Sequence, residues 1–425
     1  MDIFFSKKLI ALTTCLAALL HGIAAPAQAA PLFDPDDPFY LPPPTLPTQP
    51  GVPIRTAPAP DLLPQGWPAR ASRILYSSTL SDGTPVAVSG IRLEPTLPWL
   101  GEGPRPTLVI APGTRGAADA CAPSRGLLSI DPRTAALGVN YELPIAHLAL
   151  LAGVRVTMTD YVGLGTPGAH TYVHHREEAA AVLDAARATL LDTSADPHSP
   201  IGLWGYSQGG GATAAAAEHA ASYAPALNIV GTFAGAPPAN LPEVIDAVDG
   251  NAIFGVLGMA VMGFSERNPA IFREEIAPLL NAEGWRYFTE TPAMCIPDAI
   301  LAWGGRHSRE LSTTGESFSE AIAHSPMLRQ ALDAQRLGRR APTGPVMIRA
   351  GVNDDTIPYP QVRALADAYC ATGTPVLFRS DPLPEVAPGS TLNHALPLAG
   401  GLGDSLGYLL DRFHGVPAPS NCGGH

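Results

Sequence analysis

Gly205-Tyr206-Ser207-Gln208-Gly209 constrains this chain more than any other stretch. A serine hydroxyl is a weak nucleophile unless it is held exposed beside a base. A sharp strand-to-helix turn does that, with the serine strained at its tip. Glycines on either side keep neighbouring backbone from clashing at so tight a turn. The flanks have the required character. Ile201-Gly202-Leu203-Trp204, after Pro200, is a short apolar run suited to a buried strand. Past Gly209-Gly210-Gly211, the run from Ala212 to Glu218 suits a helix whose small side chains pack closely on a sheet.

The surrounding pattern repeats that alternation. Thr107 to Ala111 and Val154 to Met158 read as strands before the turn, and Asn228 to Phe233, Pro345 to Ala350 and Pro375 to Arg379 as strands after it. Glu177 to Leu191 has helical spacing. Ser72 to Leu80 and Thr84 to Leu93, joined by Ser81-Asp82-Gly83, predict an antiparallel hairpin at the sheet's edge. Strands alternating with helices imply an α/β class: a mostly parallel sheet covered on both faces, here the α/β-hydrolase fold. Between Phe233 and Pro345 the rhythm breaks, and four helical pieces are expected at 244–248, 253–264, 269–280 and 317–337. The second is apolar on every side and so should be buried. We therefore expect a core at 67–238 and 343–425 and an inserted helical cap or lid at 239–342. Residues 30–66 are Pro-rich and predict an arm wrapped on the domain, with Phe33, Phe39, Tyr40 and Leu41 as anchors, or else a disordered tail.

In this fold an acid and a histidine follow the serine, in that order. Asn353-Asp354-Asp355-Thr356-Ile357-Pro358 lies just after a strand. Asp354 is the expected acid and Asp355 the alternative; Asp381 reads as a turn residue. His394, past the last strand, is the expected base. His414 lies beyond a helical stretch, His425 ends the chain, and His174-His175 precede the serine and are expected at the surface. Oxyanion donors are expected from the amide of Gln208 and from Gly113-Thr114-Arg115, Thr114 above all.

Net charge is −12 and the only lysines are Lys7 and Lys8, which speaks against a nucleic-acid footprint. Residues 1–29 have the form of a secretory signal: Lys7-Lys8, an apolar stretch from Leu9 to Leu20, and Ala27-Gln28-Ala29 as the cleavage site. No transmembrane anchor is expected after cleavage. Cleavage removes Cys15 and leaves Cys121, Cys295, Cys370 and Cys422, an even number that predicts two disulfides with three connectivities open. Zinc, Walker and dinucleotide motifs are missing, so no metal or cofactor is expected.

Several stretches together resemble the secretory lipases of the Candida antarctica lipase A type. They are Pro112 to Gly116, Cys121 to Ser124, Asp160 to Gly165, Gly205 to Gly209, Ala224 to Gly231 and Asp354 to Tyr359. The resemblance implies a secreted ester hydrolase acting on acylglycerols or other carboxylic esters, at a lipid–water interface or in solution. It implies an acyl-binding helical cap, the pairs Cys121–Cys295 and Cys370–Cys422, and Ser207, Asp354 and His394 at the triad positions. One position departs. The yeast prototype has an acidic side chain near the oxyanion loop where this chain has Arg115, so the reading leans there on backbone amides. Two rival functions share these features: acyl transfer to an alcohol by the same triad, and a non-catalytic lipid-binding envelope protein.

Overall fold

The computed structural model describes residues 34–423. The signal segment, Phe33 and His425 lie outside the described residues. Nine strands form one sheet in the order β1-β2-β3-β7-β4-β8-β9-β10-β11. They are β1 (Pro53–Pro58), β2 (Ala69–Thr79), β3 (Pro85–Pro95), β4 (Thr107–Ala111), β7 (Arg155–Thr159), β8 (Ile201–Tyr206), β9 (Ile229–Gly235), β10 (Val346–Gly351) and β11 (Val376–Asp381). The strands from β7 to β11 run parallel and those from β1 to β3 antiparallel. A small separate ribbon pairs β5 (Leu128–Ile130) with β6 (Leu137–Val139).

Helices cover the sheet, which is why β4, β7 and β8 are buried at every residue. Among them are α1 (Leu143–Leu151), α2 (His175–Asp192) and α3 (Gln208–Tyr223). Helices α2 and α3 pack on each other and against the strands around β8.

The predicted hairpin is present as β2 and β3, but it is not the edge. The Pro-rich arm supplies β1, which pairs antiparallel with β2 from Pro53 opposite Tyr76 to Pro58 opposite Ser72. Prolines at both ends of this strand are tolerated because an edge strand need not donate on its outer side. Upstream, Phe39 and Tyr40 are buried against Leu75 and Ala87, and Tyr40 Oη lies 2.9 Å from Ser124 Oγ. Leu41, expected as an anchor, is 50% exposed.

The opposite edge is closed by the C-terminal tail. Asn421 N donates to Val376 O at 2.9 Å, its Nδ2 donates to Phe378 O at 3.0 Å, and its Oδ1 accepts from Phe378 N at 2.9 Å. Cys422 is bonded to Cys370, and Cys121 to Cys295.

Between β9 and β10 lie α4 (Leu241–Val248), α5 (Gly255–Arg267), α6 (Ala282–Glu290), α7 (Ile296–Trp303), α8 (Phe318–His324) and α9 (Pro326–Asp333). They share an apolar cluster around Phe254, Tyr287, Phe288 and Trp303. Two expectations need correction. Residues 269–280 form a π-turn (Ile271–Ile276) and a 3-10 turn (Ala277–Leu279), because Pro278 cannot donate to continue an α-helix. Residues 317–337 form two helices, because Pro326 disfavours helical backbone at Ser325. Ser325 Oγ then caps the second helix by accepting from Leu328 N at 3.0 Å. Helices α6 and α7 were not anticipated. The chain ends with α10 (Tyr359–Ala371) and α11 (Leu392–Phe413), the latter packed on β8, β9 and β10. Among the described residues no helix is long and apolar enough to cross a membrane.

Candidate active site

Strand β8 ends at Tyr206 and α3 begins at Gln208, so Ser207 alone makes the turn. Its φ is 59° and ψ −123°, a conformation costly for a residue with a side chain. Two glycines permit it. A Cβ on Gly205 would sit 2.1 Å from Gly209 O, and one on Gly209 would sit 2.0 Å from Ala111 O.

Asp354 lies in the turn after β10. Its Oδ1 accepts from Thr356 N at 2.9 Å and Ile357 N at 2.8 Å. Its Oδ2 lies 2.8 Å from His394 Nδ1, with both side chains buried. Asp355 does other work: its Oδ2 accepts from Thr391 N at 3.0 Å. His394 stands in the first turn of α11, where Tyr206 Oη donates to its carbonyl at 2.7 Å and the two rings lie 5.1 Å apart. The residue preceding Ser207 thus fixes where His394 sits. A neutral imidazole that donates from Nδ1 to Asp354 leaves Nε2 as an acceptor. Among the described residues no hydrogen bond joins that nitrogen to Ser207; such contacts often tighten only when substrate binds. Asp381 pairs with Arg349, and His414 stacks on Trp99.

Thr114 and Gln208 line the same cavity as Ser207. Gln208 opens α3, so its amide has no carbonyl of an earlier turn to bond. In the loop after β4, Gly113 N donates to Glu142 Oε1 at 2.6 Å. The main-chain N–H of Thr114 has no hydrogen-bond partner among the described residues. Its Oγ1 lies 2.9 Å from Tyr172 Oη. Arg115 is buried and pairs with Glu142.

Sequence reasoning missed a buried polar shell behind Gln208. Gln208 Nε2 donates to Glu178 Oε1 at 2.8 Å and lies 3.1 Å from His170 Nε2. Burial pushes the Glu178 carboxyl up to about 8 and the His170 imidazole down to about 4. His170 is then neutral, and its Nδ1, 3.0 Å from Val162 O, carries the proton, so Nε2 accepts from Gln208. The adjacent Glu177-Glu178 pair at a helix start gave no local sign of this, since its partners are distant in sequence. His174 and His175 are also buried, not at the surface. His175 N donates to Gln335 Oε1 at 2.9 Å, and its Nδ1 lies 2.6 Å from Gln335 O, a partner 160 residues away.

The cavity at Ser207 is walled by apolar side chains of α4 and α5. A second apolar cavity shares Ile245, Leu257, Ala260, Phe264 and Leu332 with it and extends to Phe318 and Leu328.

The secretory lipase family model matches residues 130–421. A probable inactive lipase of Mycobacterium tuberculosis is 31% identical over 92% of this chain and 84% of its own length. Lipase A of Arthroderma benhamiae is 28% identical over 93% and 83%. Among solved structures, the closed state of Candida antarctica lipase A superposes with a TM-score of 0.79 at 25% identity, covering 93% of this chain and 89% of that one.

Proposed function

Because the chain belongs to the secretory lipase family, we propose that it is a secreted serine ester hydrolase working through Ser207, His394 and Asp354. In this reading Ser207 Oγ attacks the ester carbonyl while His394 Nε2 takes its proton. Asp354 holds Nδ1–H and stabilises the imidazolium. The amides of Gln208 and Thr114 receive the negative charge on the carbonyl oxygen. His394 returns the proton to the leaving alkoxide, and water, deprotonated by the same nitrogen, then releases the acid from the acyl-enzyme. The observation that carries this is the 2.8 Å contact of Asp354 with His394, beside a serine held at φ 59°.

We read residues 239–342 as a cap over this site and the joined apolar cavities as an acyl-binding tunnel. The substrates would be acylglycerols or other carboxylic esters with an apolar acyl chain. A second reading follows from the Mycobacterium tuberculosis relative, whose description is a probable inactive lipase: a lipid-binding protein without turnover. Release of p-nitrophenol from p-nitrophenyl esters, acetate to palmitate, decides between them. Wild type far above Ser207→Ala supports the hydrolase. Equal background rates for both support the binding protein.

A further inference from the structure

The loop from Pro112 to Gly116 is held at four main-chain groups. Tyr161 Oη donates to Pro112 O at 2.9 Å. Tyr141 Oη donates to Thr114 O at 2.9 Å. Ile296 N, next to the Cys121–Cys295 bond, donates to Arg115 O at 2.8 Å. Glu142 reaches in from the residue before α1. Its Oε1 takes Gly113 N–H, and its Oε2 pairs with Arg115 Nη2. The same Arg115 nitrogen donates to Asn140 Oδ1 at 2.7 Å, and Nη1 donates to Val139 O. The guanidinium also lies 4.9 Å from the centre of the Tyr141 ring.

Both charged side chains are only 1% exposed. Burying such a pair carries a desolvation cost of several kcal/mol per ion, in order of magnitude, so it adds little to stability over apolar packing. A loop that merely had to turn would not need it. A loop that supplies an oxyanion donor does, because such donors act only if they are fixed before charge develops. With Gly113 N–H bound to Glu142, the loop residue that lines the Ser207 cavity with an unbonded amide is Thr114, between the two residues the pair holds. A Cβ at Gly113 would lie 2.5 Å from Tyr141 Oη, so a larger residue there would push that hydroxyl away from Thr114 O.

We propose that Glu142 and Arg115 are positioning residues: their buried pair fixes the Thr114 amide opposite that of Gln208 for the oxyanion. This rests on the ester-hydrolase reading. It also gives Arg115, where the yeast prototype has an acidic side chain, a task, since Arg115 acts through the loop it belongs to and not on the substrate.

The test uses the secreted full-length chain and p-nitrophenyl butyrate. Glu142→Leu with Arg115→Met replaces the pair by apolar groups of similar shape. It should lower kcat at least tenfold, by roughly the order seen on loss of a donor, with KM within about twofold. The inhibition constant of a trifluoromethyl ketone, whose adduct carries the oxyanion, should rise by a similar factor. Tyr141→Phe, at a partly exposed position, removes only the Thr114 O contact and should shift kcat and that constant in the same direction. Glu94→Leu with Arg155→Met breaks another ion pair, remote from the loop, and should leave both unchanged. Wild-type kcat and inhibition in a folded Glu142–Arg115 double variant overturn the proposal, as does an equal loss in the Glu94–Arg155 control. If the double variant fails to fold, an unchanged Tyr141→Phe overturns it. Wild-type turnover no better than Ser207→Ala overturns the ester-hydrolase reading and this proposal together, so the two failures are distinct.

Discussion

Asp354 and Asp355 are adjacent carboxylates with different partners. Asp354 divides its oxygens between two turn amides and His394; Asp355 holds Thr391 N at the entry to α11. Asp354→Asn keeps the shape but presents the wrong tautomer to the imidazole. We expect kcat to fall by about 10³–10⁴ on a soluble ester. Asp355→Asn should leave kcat nearly intact and lower stability by about 1 kcal/mol in chemical denaturation. Glu178 gives a second residue-scale expectation. Burial raises its carboxyl from 4.5 to about 8, so its stability contribution is full below 4.5 and lost as pH rises through 8. His170 and His175, lowered from 6.5 to about 4, act oppositely, adding stability as pH rises from 4 to 6.5. Asp160 and Asp184, raised to about 6, have released their protons by pH 7. Between pH 6.5 and 8 Glu178 therefore dominates these groups. Stability should fall there, by no more than about 1.4 kcal/mol per pH unit. Glu178→Gln, which keeps an amide oxygen for Gln208, should flatten that decline in denaturant titrations at each pH.

At the level of elements, the Cys121–Cys295 bond joins the continuation of the Pro112–Gly116 loop to the start of α7 across 174 residues. Closing so long a loop stabilises by up to about 5 kcal/mol in the chain-entropy picture. Replacing both cysteines by serine should lower the denaturation midpoint clearly. It should also reduce kcat, because Gly116 bridges Cys295 and Arg115 O binds Ile296 N. The alternating strands were readable because each apolar run was short, punctuated and buried on both faces. Strand β1 was not, since its two prolines remove the usual strand signature while its partner β2 supplies the pairing. The break at Pro326 was written in the chain, whereas α6 mixes polar with apolar residues and α7 is only eight residues long, so their packing around Trp303 was not legible. The turn at Ser207 was legible because its residue pattern is contiguous: Gly205 is demanded by a contact only four residues away, with Gly209 O. The shell of Glu142, Glu178 and His170 was not, because each partner arrives from at least eight residues away.

Across the whole molecule, the two apolar cavities give the clearest handle on substrate range. Leu257 and Ala260 border both the Ser207 cavity and the second one, at the boundary the two share. If acyl chains cross it, Ala260→Trp blocks the far part and spares the near part. Hydrolysis of the palmitate ester should drop at least tenfold in kcat/KM while the butyrate ester changes little, as an added methylene or two in an apolar pocket is already worth about 1–3 kcal/mol. Equal losses on both esters would instead place acyl binding away from this boundary. The family and the two disulfides fit a protein that works outside the cell, and there the manner in which β11 is finished acquires a consequence. Asn421 occupies hydrogen-bonding groups that a bare outer strand would offer to a second copy. Cys422 rivets that cover in place. An exopeptidase nibbling past residue 421 would strip that cover and bare the outer edge of β11 to pairing with another chain.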